Sequence, residues 1–362
     1  MRQALLVCTL LTLLTPAGSA AQAGSDAALY AQACASCHGT DGKGRPQEDL
    51  VFDTPVPDFS DCEFASREPD ADWYAIIHQG GRVRAFHRLM PSFGAALTEE
   101  EIYRIPAHVR TFCDDPRWPR GEFNLPRPLF TEKAFPEDEA VLTTSYDTGD
   151  ENTTELELLF EKRLGPVGMV EIAVPLVTFD SLASGRETGI GDIALGYKHT
   201  VYSNLASGHI VSLGGEVIVP SGDEDRGLGK GTTVLEPFAT WGALVGDAAF
   251  FQAHTFAEFP TEDGFDDEVG LRLAFGRTWT TGGEFGRAWS PMIEALAVRD
   301  LVSGAETKID LVPQCQLSLN TRQHILFNAG VRVPVTETAG REPQVVLYLL
   351  WDWFDGGFFD GW

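Results

Sequence analysis

From residue 139 to its end the chain alternates, and no other feature limits its fold as much. Val269, Leu271, Leu273 and Phe275 alternate with Gly270, Arg272, Ala274 and Gly276. Ile309, Leu311 and Leu317 alternate with Lys308, Asp310, Gln316 and Ser318, and Leu156, Leu158 and Phe160 with Glu155, Glu157 and Glu161, with Leu159 intruding. A period of two sends successive side chains to opposite faces of a strand. One row is apolar and the other carries charge along its length. In a soluble sandwich the charged row faces water; in a membrane barrel the apolar row faces lipid and the charged row lines the lumen. Strand length favours the barrel: about 12 strands are countable, many of about 10–13 residues, which suits a tilted membrane strand. Sandwich strands average about 5–6 residues. Short connections at 164–166, 204–206 and 246–247 alternate with longer ones at 180–188, 221–231, 260–267 and 336–343. The last strand, expected over 345–354, holds Tyr348, Trp351, Trp353 and Phe354, and Trp362 closes the chain.

Composition removes other classes. With 53 acidic against 27 basic residues the formal charge is −26, which excludes a nucleic-acid binder. At 43% hydrophobic residues the chain is too apolar for a disordered one. Beyond residue 121 the acidic residues outnumber the basic ones 37 to 16. The acidity thus belongs mainly to the alternating half, where it favours cations over anions as permeants.

Residues 1–23 read as a secretory signal: Arg2, an apolar core over 4–14, and a small-residue cleavage site at Gly18-Ser19-Ala20 or Ala21-Gln22-Ala23. Next comes Cys34-Ala35-Ser36-Cys37-His38, the C-x-x-C-H pattern of covalent haem attachment. Its two thiols would add to the haem vinyl groups and His38 would ligate the iron. A redox dithiol or half a zinc site is the alternative. No second C-x-x-C accompanies it, and Gly39-Thr40-Asp41-Gly42-Lys43-Gly44 follows directly. Cys62 and Cys113 flank most of this stretch. If paired, they close a loop of about 50 residues worth a few kcal/mol; two free buried thiols are the other possibility. Pro116, Pro119, Pro126 and Pro128 mark residues 116–138 as a proline-rich, partly extended linker.

Over about 90 residues the stretch resembles the class I cytochrome c family. Asp26 sits at a helix cap, Leu29-Tyr30 precede the attachment site, Met90-Pro91-Ser92-Phe93-Gly94 matches the axial-methionine segment, and Thr98 with Glu101 opens the closing helix as a capping box. The resemblance implies an all-α monohaem domain over 24–115, with His38 and Met90 as axial ligands and a raised potential. His78, His87 and His108 are the rival sixth ligands. Pro106 interrupts the closing helix, and His108 stands where the family usually has an aromatic residue. In the alternating half, Gly189 to Lys198 resembles a segment of small barrels in the phenol-degradation MetA-like group. Terminal aromatics resemble the closing signal of outer-membrane barrels. Cytochrome–porin fusions of iron-oxidising bacteria offer an analogy for the whole.

The expected architecture is an all-α class I cytochrome c domain followed by an antiparallel transmembrane β-barrel over 139–362. An even strand count leaves both barrel ends in the periplasm. A domain of about 90 residues is roughly 30 Å across, whereas a 12-stranded barrel has a backbone radius of only about 12 Å. The cytochrome can therefore cap the mouth but cannot enter it. The expected function is single-electron transfer between periplasmic carriers and a donor or acceptor at or through the barrel, with one covalent haem c. The alternatives are a channel for a small-molecule or cationic solute with the cytochrome as redox-sensitive plug or docking module, and a soluble periplasmic cytochrome with a partner-binding sandwich. No nucleophile triad, phosphate loop or paired-carboxylate motif marks an enzyme site. The four histidines of the strands, His199, His209, His254 and His324, lack ligand spacing.

Overall fold

The computed structural model describes residues 25–147, 153–181, 185–281 and 286–352. The expected signal and Trp353, Phe354 and Trp362 lie outside the described residues. Five helices come first: α1 (Asp26–Ala33), α2 (Ala35–His38), α3 (Cys62–Arg67), α4 (Asp70–Gln79) and α5 (Glu99–Val109). Fourteen strands follow: β1 (Glu139–Asp147), β2 (Thr154–Leu164), β3 (Gly168–Ser181), β4 (Gly185–Ile190), β5 (Ile193–Asn204), β6 (His209–Val219), β7 (Val234–Val245), β8 (Ala249–Pro260), β9 (Glu268–Arg277), β10 (Trp279–Thr280), β11 (Ala288–Asp300), β12 (Lys308–Ser318), β13 (Ile325–Pro334) and β14 (Gln344–Asp352).

Every neighbouring pair is antiparallel, and β1 pairs with β14 with Glu139 opposite Asp352, so the sheet closes on itself. The fourteen elements make 12 staves. β4 and β5 both pair with β3 and are one stave broken at Gly191-Asp192; β9 and β10 both pair with β11. Closure overturns the two-sheet sandwich. It also corrects the loop expected at 180–188: Asp180 opposes Arg186 and Thr178 opposes Thr188, so the hairpin runs past the wall. Thr178 and Thr188 pair by their hydroxyls at 3.0 Å, which lets a polar stretch stay in register. The break at Asp192 is stapled from the 220–233 loop, where the carboxylate accepts from the backbone N–H of Gly222 and Lys230 at 3.0 and 2.6 Å.

Both strand ends of the chain lie on one rim with the short turns; the longer loops lie on the other. Leu158, Phe160, Ile172, Leu195, Leu213, Phe275, Ile293, Leu311 and Leu347 point outward and are exposed, as a lipid-facing belt requires. Trp241, Trp279, Trp289 and Tyr202 are exposed towards the turn rim. Among the described residues no helix is long and apolar enough to cross a membrane. Leu159, the residue that broke the alternation, turns inward and packs against Val141, Tyr348 and Leu350.

The 116–138 segment is irregular, with one 3-10 turn at Gly121–Phe123, and it is no free spacer. Phe123, Leu125, Arg127, Thr131, Lys133, Phe135, Glu137 and Asp138 are buried, and the stretch after Gly121 runs as a strap inside the barrel. The prolines explain why: a strap enclosed by strands already paired with each other must have few unmet N–H groups, and Pro126 and Pro128 bring none.

The helices pack on the turn rim. Arg322, in the turn between β12 and β13, donates to the carbonyls of Arg84 and Ala85 at 3.1 Å each and lies over the Phe86 ring. Arg67 of α3 meets Asp138 at 2.7 Å, where the strap ends, and Lys162 of β2 meets the same carboxylate at 2.7 Å.

Candidate functional site

Ser25, one residue before the expected Asp26, caps α1 through its hydroxyl; Asp26 instead binds Arg104 of α5 at 2.7 Å. Cys34 joins α1 to α2, and its carbonyl accepts from the N–H groups of Cys37 and His38 at 3.1 and 3.0 Å. This single turn aims Cys34, Cys37 and His38 at one cavity. Gly39 ends it at φ 72, in the left-handed region a side chain disfavours. Gly42 passes so close to Phe112 that a Cβ there would lie 2.5 Å from the ring. The His38 ring stacks on Phe59, with centroids 4.7 Å apart. Burial pushes the His38 pKa down to about 4, keeping the imidazole neutral with a lone pair to give. Burial and, next, the Cys37 thiol push Cys34 up to about 11. Neither is in a disulfide, whereas Cys62 and Cys113 are joined in one.

The facing wall is the 81–94 loop. Gly81 N–H donates to the Met90 carbonyl at 3.1 Å, Phe93 N–H to Ile77 at 2.9 Å and Gly94 N–H to His78 at 3.0 Å, tying the loop to the end of α4. Met90 lines the cavity and packs on the helical core. Of its rivals only His87 also lines it, and His87 Nδ1 already accepts from Leu89 N–H at 3.3 Å. His78 is turned to Gln79, 2.8 Å away. His108 packs tilted against Tyr30 and edge-on against Phe112, 5.2 Å from each, and so takes the aromatic residue's place in the packing. α5 runs through Pro106 to Val109, with the Thr98–Glu101 capping box closed at its start.

The cavity's remaining edge could not be foreseen from sequence. Trp73 Nε1 is buried there with no partner. Glu68, Asp72 and Arg84 line it from the helical side, and Arg322 and His324 from the barrel turn, more than 230 positions further along the chain. His324 was read as one scattered histidine; nothing local in the sequence joins it to the C-x-x-C-H turn.

Behind this edge the lumen is filled. Glu294 of β11 accepts from the N–H groups of Leu129, Phe130 and Thr131 at 3.1, 3.2 and 2.7 Å and from the Thr131 hydroxyl at 2.7 Å. Gln252 and Tyr348 donate to the carbonyls of Pro126 and Arg127 at 2.8 and 2.7 Å. Arg127 sits among Glu132, Glu139 and Glu161, and Lys198 of β5 binds Glu132.

Residues 21–109 match the family model described as "Cytochrome C oxidase, cbb3-type, subunit III". The chain joins a cytochrome c-type domain to a 12-stranded barrel. No curated protein matches it in sequence. Among solved structures, an outer membrane channel from Pseudomonas putida F1 is similar over 63% of this chain and 99% of that one, at 15% identity and TM-score 0.47. The KdgM porin (9%, TM-score 0.40) and the NanC porin (8%, TM-score 0.41) each cover 59% of this chain and 98% of their own. The barrel assignment rests on its own closure and outward belt.

The cavity of the cytochrome domain suits a haem. Two thiols and a neutral imidazole share one wall, a thioether stands on the other, and Phe59, Phe64, Ile77 and Ile105 supply an apolar lining. Two buried polar atoms, His38 Nδ1 and Trp73 Nε1, lack a protein partner. Such leftovers are costly unless a bound group or water satisfies them.

Proposed function

We propose that this chain is an outer-membrane-anchored monohaem c-type cytochrome. It passes single electrons between periplasmic carriers and a donor or acceptor at or through the barrel, without turning over a substrate. The observation that carries the reading is the cavity at the turn rim, where Cys34, Cys37, His38 and Met90 converge. Cys34 and Cys37 would hold one haem c covalently, and His38 and Met90 would ligate its iron. The bound haem supplies one-electron exchange at its iron. His38 is kept neutral by burial, Met90 favours the reduced state, and the aromatic lining keeps water out. Short turns face the periplasm in barrels of this kind, so the cytochrome meets soluble carriers there while the outward belt sits in lipid.

A second reading, a channel for a small cationic solute, is supported by the carboxylate-rich lumen of Glu155, Glu157, Glu216 and Glu236. The strap tied across it at Glu294 opposes free passage. Purified protein in liposomes, with reductant outside and a cytochrome-type acceptor trapped within, separates the two. Haem-dependent reduction of the acceptor is expected. Solute flux without reduction would overturn electron transfer in favour of transport.

A further inference from the structure

Where the barrel closes the cavity stands a buried imidazole between two carboxylates that the electron-transfer reading leaves unused. His324 is 5% exposed. Its Nε2 lies 3.0 Å from Glu68 Oε1 of the helical domain, and its Nδ1 lies 3.5 Å from Asp352 Oδ1 at the end of β14. Charged groups face it from each element packed there. Asp72 of α4 accepts from Arg84 at 2.6 Å, and Arg110 donates to the Glu68 carbonyl at 2.6 Å. Arg322 is held by the backbone of Arg84 and Ala85, and Glu137 and Glu139 act on Asp352 from the strap side. Of these, Glu137 is bound by Lys133 and Glu139 by Arg127, so the imidazole's own carboxylate partners are Glu68 and Asp352. Burial alone would raise Glu68, but His324, by charge and hydrogen bond, together with the Arg110 and Arg84 guanidiniums outweighs it and holds that carboxyl below its usual value. Burial and then the Glu68 charge push Asp72 up to about 6.

Glu68, Asp72 and His324 line the same cavity as the ligand set. A unit change of charge on a group held in that cavity would act on all three through a largely apolar interior. We infer that this joint is a redox-linked proton site: the His324–Glu68–Asp352 cluster takes up a proton when the haem is reduced and releases it on oxidation. The inference rests on the electron-transfer reading. Reduction brings one electron from a one-electron carrier and one proton from periplasmic water onto the carboxylate–imidazole cluster; oxidation returns both. The barrel rim thereby makes the cytochrome's potential depend on pH.

The test is a spectroelectrochemical titration of the full-length, detergent-purified protein between pH 5 and 9. The midpoint is expected to fall as pH rises, approaching about 59 mV per tenfold drop in proton concentration inside the linked window. His324→Gln should flatten that slope with haem content unchanged. Glu68→Gln, in the helical domain and off the barrel wall, should narrow or shift the window, and it decides the matter if the first variant does not assemble. A flat wild-type profile overturns the inference while leaving electron transfer standing. So does a wild-type slope that survives in the variants. A chain with no redox-active haem overturns the parent reading itself.

Discussion

The cytochrome cavity and the barrel lumen are both interiors of one chain, and they handle buried polar groups in opposite ways. The cavity is walled by Phe59, Trp73, Ile77 and Ile105 with charged groups along one edge, and its buried polar atoms include His38 Nδ1 and Trp73 Nε1 without a protein partner. The lumen is crowded with charge, yet Arg127 is shared among three glutamates, Lys198 holds Glu132, and Glu294 gathers three backbone N–H groups of the strap. Its own leftovers, such as Glu171 Oε1 on β3 and the two His254 nitrogens on β8, lie on separate staves and share no apolar hollow. An apolar hollow with surplus donors is shaped for a guest. A polar hollow whose charges meet an internal strap already has its occupant.

The largest effect that could break this contrast is loss of the guest. Replacing Cys34 and Cys37 together by Ser should abolish covalent haem, read as complete loss of haem staining on a denaturing gel. The barrel should keep its heat-dependent gel mobility, because those thiols sit in the α1–α2 turn and not on a strand. Haem staining that survives would remove the attachment turn from the site. Next comes loss of the occupant. Exchanging residues 124–134 for a Gly/Ser chain of equal length should turn a closed barrel into a conducting one in planar bilayers, with cations preferred. Conductance no higher than wild type would mean that the strap is not what closes the lumen. Third is Arg127→Ala, which leaves Glu132, Glu139 and Glu161 without their shared cation. Breaking such a buried set costs about 3–5 kcal/mol. The drop should appear in the barrel's denaturant midpoint.

The two interiors were unequally legible. Strand alternation was plain because a period of two survives along each stave, and Leu271, Leu273 and Phe275 do face out while Gly270, Arg272 and Ala274 face in. The C-x-x-C-H turn was plain because one turn of chain holds all three groups. The strap was hidden: its prolines look the same in a spacer and in a buried strand with few donors, and the distinction lies in partners such as Glu294 and Tyr348, far along the chain. The same holds for Arg322 and His324, whose role at the cavity depends on the barrel's closing register and leaves no local pattern. The expected cap at Asp26 failed by one position, since Ser25 and Asp26 are both good N-terminal residues and only the Arg104 pairing draws Asp26 away.

The smallest effect tests whether the two interiors are separate folding units. Cys62 and Cys113 lie 51 positions apart, and their bond ties α3 to the segment after α5. The chain-entropy model gives a loop of that length roughly 3–4 kcal/mol, reduced by any structure the unfolded chain retains. Replacing both by Ala should therefore lower the thermal transition followed in the haem absorption and leave the barrel's transition where it was. The joint complicates this clean split: Arg67 of α3 meets Asp138, and Asp138 also meets Lys162 of the wall. If α3 loosens without the disulfide, that shared carboxylate loses one of its two cations. A small parallel drop in the barrel's transition would then show that the rim contacts couple the units, and Asp138→Asn should remove the parallel drop. A barrel transition that falls as far as the haem's would mean the chain unfolds as one body, and the two interiors could not be treated as independent.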